Sequence, residues 1–245
     1  MDKADNFSSG GTVCARTATT GTVLPFPFRT SRPAPQKVAL EDTGRPGSAI
    51  WSEGAQALPD PYRAPHNADW VWRPDILHSP LPDGATPQVH SGAKPASDVT
   101  LFHDCPKSKL ALKQIGGRGP TPFAMRLDVF AFSGTFLSLV LDLPGAAIAG
   151  LKRSHIIGVH SLVELAQPAR IFARLNLKHG PNCEQIVREV CPDHPHALTG
   201  FDLAYTQLNE KRLEKAWLDL IVEKPCANRI VLHSLTCHRK PRAEV

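Results

Sequence analysis

The sequence contains no apolar run long enough for a membrane-spanning helix, which needs roughly 18 or more consecutive apolar residues. The first apolar stretch, residues 22–28, is short and is interrupted by two prolines. The start of the chain is polar and lacks the basic and apolar segments of a secretory signal. We therefore expect a cytoplasmic protein with no membrane span.

Signatures of the common catalytic and cofactor-binding sites are also missing. The chain has no Gly-x-Gly-x-x-Gly fingerprint, no Walker loop, no Gly-x-Ser-x-Gly elbow and no His-Glu-x-x-His motif. The glycine-rich loop at residues 116–119 is followed by Pro120 and Pro122, so it opens no helix that could bind a phosphate. We therefore expect no cofactor, and the sequence favours a protein that is not an enzyme.

Charge and cysteine content set further bounds. The formal net charge is only +5, and an excess of this size spread over a surface attracts polyanions weakly, so nucleic acid is not an expected partner. The six cysteines occur in a long chain without export signals. We interpret them as reduced thiols rather than as a disulfide framework.

Proline is concentrated in the first part of the chain, where thirteen of the 23 prolines precede residue 100. Residues 1–68 combine Ser/Thr/Gly-rich and Pro-rich stretches, and such a segment cannot bury enough apolar area to offset the entropy of ordering it. We therefore expect an irregular or disordered extension at 1–68 and a folded domain at 69–245. Trp70 and Trp72 share one face of an extended segment, and we expect them to dock against this domain.

The folded part shows the alternation of β-strands. In residues 136–143 every second residue is a leucine, which predicts a strand with the leucines on a core and with Ser138 on the opposite, solvent-facing side. Residues 171–178 alternate in the same way. From residue 99 onward the chain contains eight or nine such segments in all, at a spacing of roughly 10–15 residues and without long helices between them. This pattern predicts an all-β protein, an antiparallel β-sandwich of the jelly-roll type.

The sequence pattern of some segments fits more than one type of secondary structure. Residues 209–223 present a helical apolar stripe, and they also fit a strand with four alternating apolar residues on one face. We favour the strand because the flanking segments are extended. Residues 106–115 fit a short helix, and residues 229–237 are predicted as the final strand, followed by a basic end at 238–242.

A polar row beside a turn is the main candidate for a ligand site. Asn176 and Lys178 point outward from one predicted strand, and the turn that follows would bring Glu184 near them. β-Sandwiches that bind sugars combine such rows with an aromatic ring, here Tyr205 or Trp217, and Lys178 would favour acidic sugars. The competing interpretation is an ordinary solvated sheet face with charged cross-strand pairs.

A second cluster has the residue types of a zinc site. Cys183, Cys191, His194 and His196 lie within 14 residues of one another, and thiolate and imidazole are the ligands that zinc prefers. The cluster has no Cys-x-x-Cys knuckle, and Pro192 stiffens the backbone between the ligands. The alternative is a strand-edge cysteine beside a solvated loop.

Six stretches from residue 69 onward are long and specific: 70–74 (WVWRP), 98–105 (DVTLFHDC), 136–144 (FLSLVLDLP), 171–182 (IFARLNLKHGPN), 201–212 (FDLAYTQLNEKR) and 240–244 (KPRAE). In these stretches the chain resembles a family of uncharacterised alphaproteobacterial proteins with a domain of unknown function. The resemblance implies a cytoplasmic bacterial protein. It carries no activity, so it assigns no functional residue.

These observations favour a non-catalytic β-sandwich that binds a carbohydrate or a protein partner of unknown identity. One alternative is a jelly-roll enzyme with a metal or carboxylate site. Another is a structural scaffold or assembly subunit whose proline-rich extension contacts a partner.

Overall fold

The structure, a computed structural model, describes residues 65–82, 84–117, 121–191 and 198–243. Every described residue belongs to one compact unit, Gly54–Val245. Residues 1–64 of the predicted extension lie outside the described residues, so the predicted disorder and the domain boundary at 68–69 stay predictions.

The described residues form thirteen strands with little helix between them. The strands are β1 (Trp70–Trp72), β2 (Ala85–Thr86), β3 (Ala93–Ala96), β4 (Val99–His103), β5 (Lys109–Gly116), β6 (Phe123–Ala131), β7 (Phe136–Asp142), β8 (His155–Leu165), β9 (Ile171–His179), β10 (Asn182–Val190), β11 (Leu198–Asp202), β12 (Leu213–Glu223) and β13 (Asn228–Pro241). One helical turn, α1 (Gly145–Ile148), and 3-10 turns at Asp75–Leu77, Leu203–Tyr205 and Glu210–Arg212 complete the set.

The strands form two antiparallel sheets. The seven-stranded sheet has the order β11-β8-β13-β6-β5-β2, and β1 also pairs with β13. The six-stranded sheet has the order β10-β9-β12-β7-β4-β3. Apolar side chains from both sheets form one buried cluster. The predicted all-β sandwich of two antiparallel sheets is therefore confirmed.

The core follows from the alternation in the sequence. In β7 the side chains of Leu137, Leu139 and Leu141 are buried, as predicted, and in β9 the inward positions from Ile171 to Leu177 are buried in the same way. Burying a leucine side chain contributes about 2 kcal/mol. The two strands lie on either side of β12, which places these rows in the middle of their sheet.

The ambiguous segment 209–223 is a strand, as favoured. Asn209 accepts a hydrogen bond from the Lys211 amide at 3.2 Å and starts a single 3-10 turn, after which β12 begins. The four alternating apolar residues of β12 are buried: Ala216, Leu218, Leu220 and Val222. The extended form prevails because β7 and β9 bond the backbone of β12 on both sides.

Strand β13 is longer than the sequence indicates. It continues through the predicted basic end to Pro241, and nearly all of its residues are buried, so both of its faces are covered. Trp70 and Trp72 pair with Arg239 and Cys237 of this strand and pack against the core, which confirms their predicted docking. The predicted short helix at 106–115 is wrong, because β5 occupies most of that segment and pairs with β6.

Candidate functional site

The outer face of the six-stranded sheet, which is the side facing away from the core, carries the candidate site. Directly paired residues of antiparallel strands share a face, so the strand register defines rows that run across this surface. The first row is Asp142, Trp217, Asn176 and Gln185. The second row is Thr100, Val140, Asp219, Arg174 and Val187. The third row is Phe102, Ser138, Ile221, Phe172 and Glu189.

A charged and amide cluster lies at the centre of the outer face. Asp219 is 1% exposed and accepts hydrogen bonds from Arg174 Nε at 2.7 Å and from Asn176 Nδ2 at 3.1 Å, while Arg174 Nη2 lies 2.6 Å from the same oxygen. Asn176 is fully buried and also donates to the Arg174 carbonyl. A buried carboxylate is tolerated only when it is paired and hydrogen-bonded. This cluster is therefore held in one arrangement.

The cluster retains unused hydrogen-bonding capacity. The Arg174 side chain is 37% exposed, and among the described residues no hydrogen bond engages its Nη1. Asn176 Oδ1 and Asp219 Oδ1 are buried without a hydrogen-bond partner among the described residues. Both oxygens lie below the surface, so the partly exposed Arg174 guanidinium is the group of this cluster that can reach a ligand.

Aromatic rings surround this cluster on the same face. Trp217 lies half-buried next to Asn176, and Lys215 Nζ is 5.8 Å from its ring centroid. Phe172 lies beneath the Arg170 guanidinium, whose Cζ is 4.7 Å from the ring centroid. Phe102 is 43% exposed. The outer face thus offers flat apolar surfaces beside fixed polar groups.

Four cations of the outer face are each paired with a carboxylate. The pairs are Arg170 with Glu189 at 2.9 Å, Arg174 with Asp219 at 2.6 Å, Lys178 with Glu214 at 2.8 Å and Lys215 with Asp142 at 2.7 Å. The hydrogen bond from Lys178 lowers the pKa of Glu214, and the hydrogen bond from Arg170 lowers the pKa of Glu189. Both carboxylates stay ionised at neutral pH, so these pairs place charges of both signs on the surface.

The structure brings together some of the predicted ligand residues and separates others. Asn176, Lys178 and Trp217 share the outer face, as predicted. Glu184 lies opposite Leu177, on the other face of the sheet, and its Oε1 is 3.9 Å from His179 Nε2. The predicted grouping is wrong for Glu184, because the tight hairpin pairs Asn182 directly with His179 and this register alternates Glu184 away from Lys178.

Tyr205 lies apart from the outer face. It belongs to the 3-10 turn after β11 in the other sheet and is 79% exposed. Its ring contacts the Arg242 guanidinium, whose Cζ lies 5.5 Å from the ring centroid, and its hydroxyl accepts from Arg242 Nη2 at 3.3 Å. Among the described residues, no hydrogen bond or ring contact joins Tyr205 to Asn176, Lys178 or Trp217.

Sequence reasoning missed the partner at the centre of the cluster. Asp219 lies two residues after Trp217, so the strand interpretation of 209–223 already places the two side chains on one face. The link from Asp219 to Arg174 depends on the pairing of β12 with β9, which are far apart in the chain. No local pattern encodes that register.

The predicted zinc cluster is only partly within the described residues. Cys183 is exposed and Cys191 is half-buried. His194 and His196 lie outside the described residues, so this cluster stays a prediction. Within the described part of the chain, no three His, Cys, Asp or Glu side chains form a group that could hold a metal ion.

The chain belongs to a family of unknown function, DUF6478, whose sequence profile matches residues 53–245. No curated protein matches the chain. Within the described ranges, no helix is long and apolar enough to cross a membrane.

Several solved structures resemble the chain at low identity. A family 11 carbohydrate-binding module from Clostridium thermocellum, in complex with a β-1,3-1,4-mixed-linked tetrasaccharide, is 12% identical with a TM-score of 0.42, covering 64% of this chain and 97% of that one. The enzymatically active domain of bacteriophage CBA120 tailspike protein 4 is 7% identical with a TM-score of 0.41, covering 58% of this chain and 19% of that one. A cyclase from Fischerella sp. is 9% identical with a TM-score of 0.39, covering 71% and 98%. Similarity at this level carries no information about what the chain binds.

Proposed function

We propose that this protein is a non-catalytic β-sandwich that binds a glycan on the outer face of its six-stranded sheet. The observation that carries the proposal is the fixed cluster of Arg174, Asn176 and Asp219 next to the half-buried ring of Trp217. A pyranose has an apolar face of C–H groups and an edge of hydroxyls. A ring beside oriented polar groups matches both.

Each residue of the cluster has a part in this proposal. The ring of Trp217 takes the apolar face of the sugar. The Arg174 guanidinium, held by Asp219, donates from Nη1 to a ligand hydroxyl and needs little reordering when the ligand arrives. Asn176 fixes the carboxylate from below and does not itself reach solvent.

The charge pattern favours a neutral glycan. Lys178 alone would favour an acidic sugar, but it is engaged by Glu214 at 2.8 Å. Since Arg170, Arg174 and Lys215 are paired in the same way, an acidic chain would meet a carboxylate beside each of these cations. We therefore propose a neutral polysaccharide or oligosaccharide, bound by a protein of the cytoplasm.

A protein partner is the second candidate for the same surface. Phe102 is 43% exposed and Phe136 is 37% exposed on the outer face. Exposed aromatic side chains are typical of the centres of protein interfaces. A partner of this kind would depend on the two phenylalanines more than on Arg174.

The test is a binding screen of neutral and acidic polysaccharides by affinity electrophoresis, followed by calorimetry with the hits. Trp217→Ala and Arg174→Ala should each weaken binding of a neutral glycan at least about tenfold, the usual loss at a central contact. Phe130→Ala is the matched control, because Phe130 is 65% exposed on the other sheet. The proposal is overturned if no glycan binds, or if all three variants bind as well as wild type.

A further inference from the structure

Strand β10 forms a long and exposed edge of the six-stranded sheet. It pairs with β9 on one side, and among the described residues no strand pairs with its other side. Six of its nine residues are exposed. The opposite edge of the sheet, β3, has only four residues and includes Pro95, which cannot donate to a further strand. An edge such as β10 presents N–H and C=O groups to which another strand can bond.

The register of the hairpin shows which backbone groups of β10 point away from β9. The tight turn pairs His179 directly with Asn182, and the closing pair of such a hairpin exchanges both backbone hydrogen bonds. The even-numbered residues of β10 therefore bond to β9. The residues between them direct their N–H and C=O groups outward from the sheet: Cys183, Gln185, Val187 and Glu189. The Val187 carbonyl agrees with this assignment, because it accepts a hydrogen bond from Arg188 Nη1 at 2.9 Å.

The side chains of β10 carry opposite charges at positions that are symmetric about Ile186. Glu184 precedes Ile186 by two residues and Arg188 follows it by two, so all three lie on the same face of the strand. If β10 pairs antiparallel with a copy of itself about Ile186, Glu184 of each copy lies opposite Arg188 of the other, and opposite charges in such positions favour pairing. A register shifted by two residues places Glu184 opposite Ile186 or Val190 and loses both ion pairs.

We propose that two copies of this protein associate by antiparallel pairing of their β10 strands, centred on Ile186. In this register the outward backbone groups of Gln185 in each copy meet those of Val187 in the other, and Cys183 meets Glu189 in the same way. These pairs form roughly eight backbone hydrogen bonds. Arg188 leaves the Val187 carbonyl of its own chain and pairs with Glu184 of the second copy.

The proposed pairing produces a closed dimer. Directly paired residues share a face, so the two six-stranded sheets join into one continuous sheet with both outer faces on the same side. The contact is the same patch on both copies and uses the free edge of each β10, so it cannot propagate to a third copy. The proposal does not depend on glycan binding, because the strand edge and not the outer face forms the contact.

The test is analytical ultracentrifugation of the full-length chain over a range of concentrations, in which we expect a reversible monomer–dimer equilibrium. Val187→Pro should abolish the dimer, because proline removes an outward N–H at the centre of the contact. The same change removes no hydrogen bond to β9, and proline is tolerated on an edge strand at such a position. Val187→Thr is the matched control: it keeps the N–H and the branched shape, and it should form the dimer as wild type does.

Charge reversal tests the register. Glu184→Arg and Arg188→Glu should each weaken the dimer at least about tenfold, since each places like charges opposite one another at two positions. The double variant exchanges the charges and should restore dimerisation, which a loss of folding would not do. If Val187→Pro fails to fold by circular dichroism, the charge series decides alone. A wild type that stays monomeric, a folded Val187→Pro that dimerises normally, or a double variant as weak as the single ones overturns the proposal.

Discussion

Asp219 is the residue on which the cluster of the outer face depends. It is almost wholly buried, and it holds both the Arg174 guanidinium and the Asn176 amide. Without the carboxylate, the guanidinium loses its orientation and the amide loses one partner. The same carboxylate therefore links the stability of the sheet to the geometry of the proposed ligand site.

Asp219→Ala should lower the free energy of unfolding by about 2 kcal/mol, since hydrogen bonds to charged groups contribute about 1.5–3 kcal/mol. The control is Glu189→Ala, because Glu189 pairs with Arg170 at a well-exposed position and such pairs contribute about 1 kcal/mol or less. Urea unfolding of both variants measures the difference. Equal losses of unfolding free energy in the two variants would show that the buried ion pair stabilises the fold no more than the exposed one.

Ser138 shows that facing outward is not the same as facing water. It lies on the outer face as predicted, but it is only 4% exposed and its hydroxyl has no hydrogen-bond partner among the described residues. The expected contact of Ser138 with solvent is therefore wrong. Ser138 pairs directly with Phe102 on one side and with Ile221 on the other, and both of these side chains are larger than its own.

Ser138→Ala should be neutral or stabilising by up to about 1 kcal/mol, because it removes a buried hydroxyl that lacks a partner. Leu139→Ala, one residue away on the core side, should cost about 2–5 kcal/mol. Thermal or urea unfolding of the two variants gives the comparison. A loss at Ser138 close to that at Leu139 would mean that the hydroxyl has a partner in solution.

At the scale of elements, the short strand β1 is tied to the sandwich by one ion pair as well as by its two tryptophans. Arg239 is 7% exposed and donates from Nε to Asp69 Oδ1 at 2.8 Å, and its Nη1 donates to the carbonyls of Ala147 and Ala149. This side chain therefore joins β1, β13 and the α1 turn.

The pair with Arg239 makes this attachment pH-dependent. The hydrogen bond from Arg239 holds the pKa of Asp69 below its usual value of 3.8. A lowered pKa in the folded state contributes stability above the unfolded value, and this contribution disappears as the pH falls through the folded value. Asp69→Asn should therefore be less stable than wild type at pH 7, and the difference should shrink below about pH 4. A difference independent of pH, measured by urea unfolding, would contradict this.

The elements could be predicted where alternation was long and flanked by turns. The leucines of β7 and the apolar positions of β12 had period two over enough residues to define a strand. In β5 only Leu110 and Leu112 alternate inward, which is too short a pattern to distinguish a strand from a helix. The length of β13 was missed because its last residues are basic, and no local signal reveals that they pair with β8 and β1.

At the scale of the molecule, the two sheets use their outer faces differently. The six-stranded sheet exposes polar and aromatic groups, whereas the central strand of the seven-stranded sheet is buried on both faces. The outward row of β9 could be predicted from alternation alone. Its contacts with Asp219 and Trp217 could not, since they follow from a register between distant strands. The register of the hairpin after β9 likewise determines on which face of the sheet Glu184 lies.

The most direct test of glycan binding is an NMR titration that follows the indole N–H signals of the four tryptophans. The signal of Trp217, assigned with Trp217→Phe, should shift saturably as a neutral glycan from the screen is added, because the proposed ligand stacks on that ring. The signals of Trp70 and Trp72, which pack against the core near β13, should stay in place. A glycan that binds without moving the Trp217 signal would contradict the account.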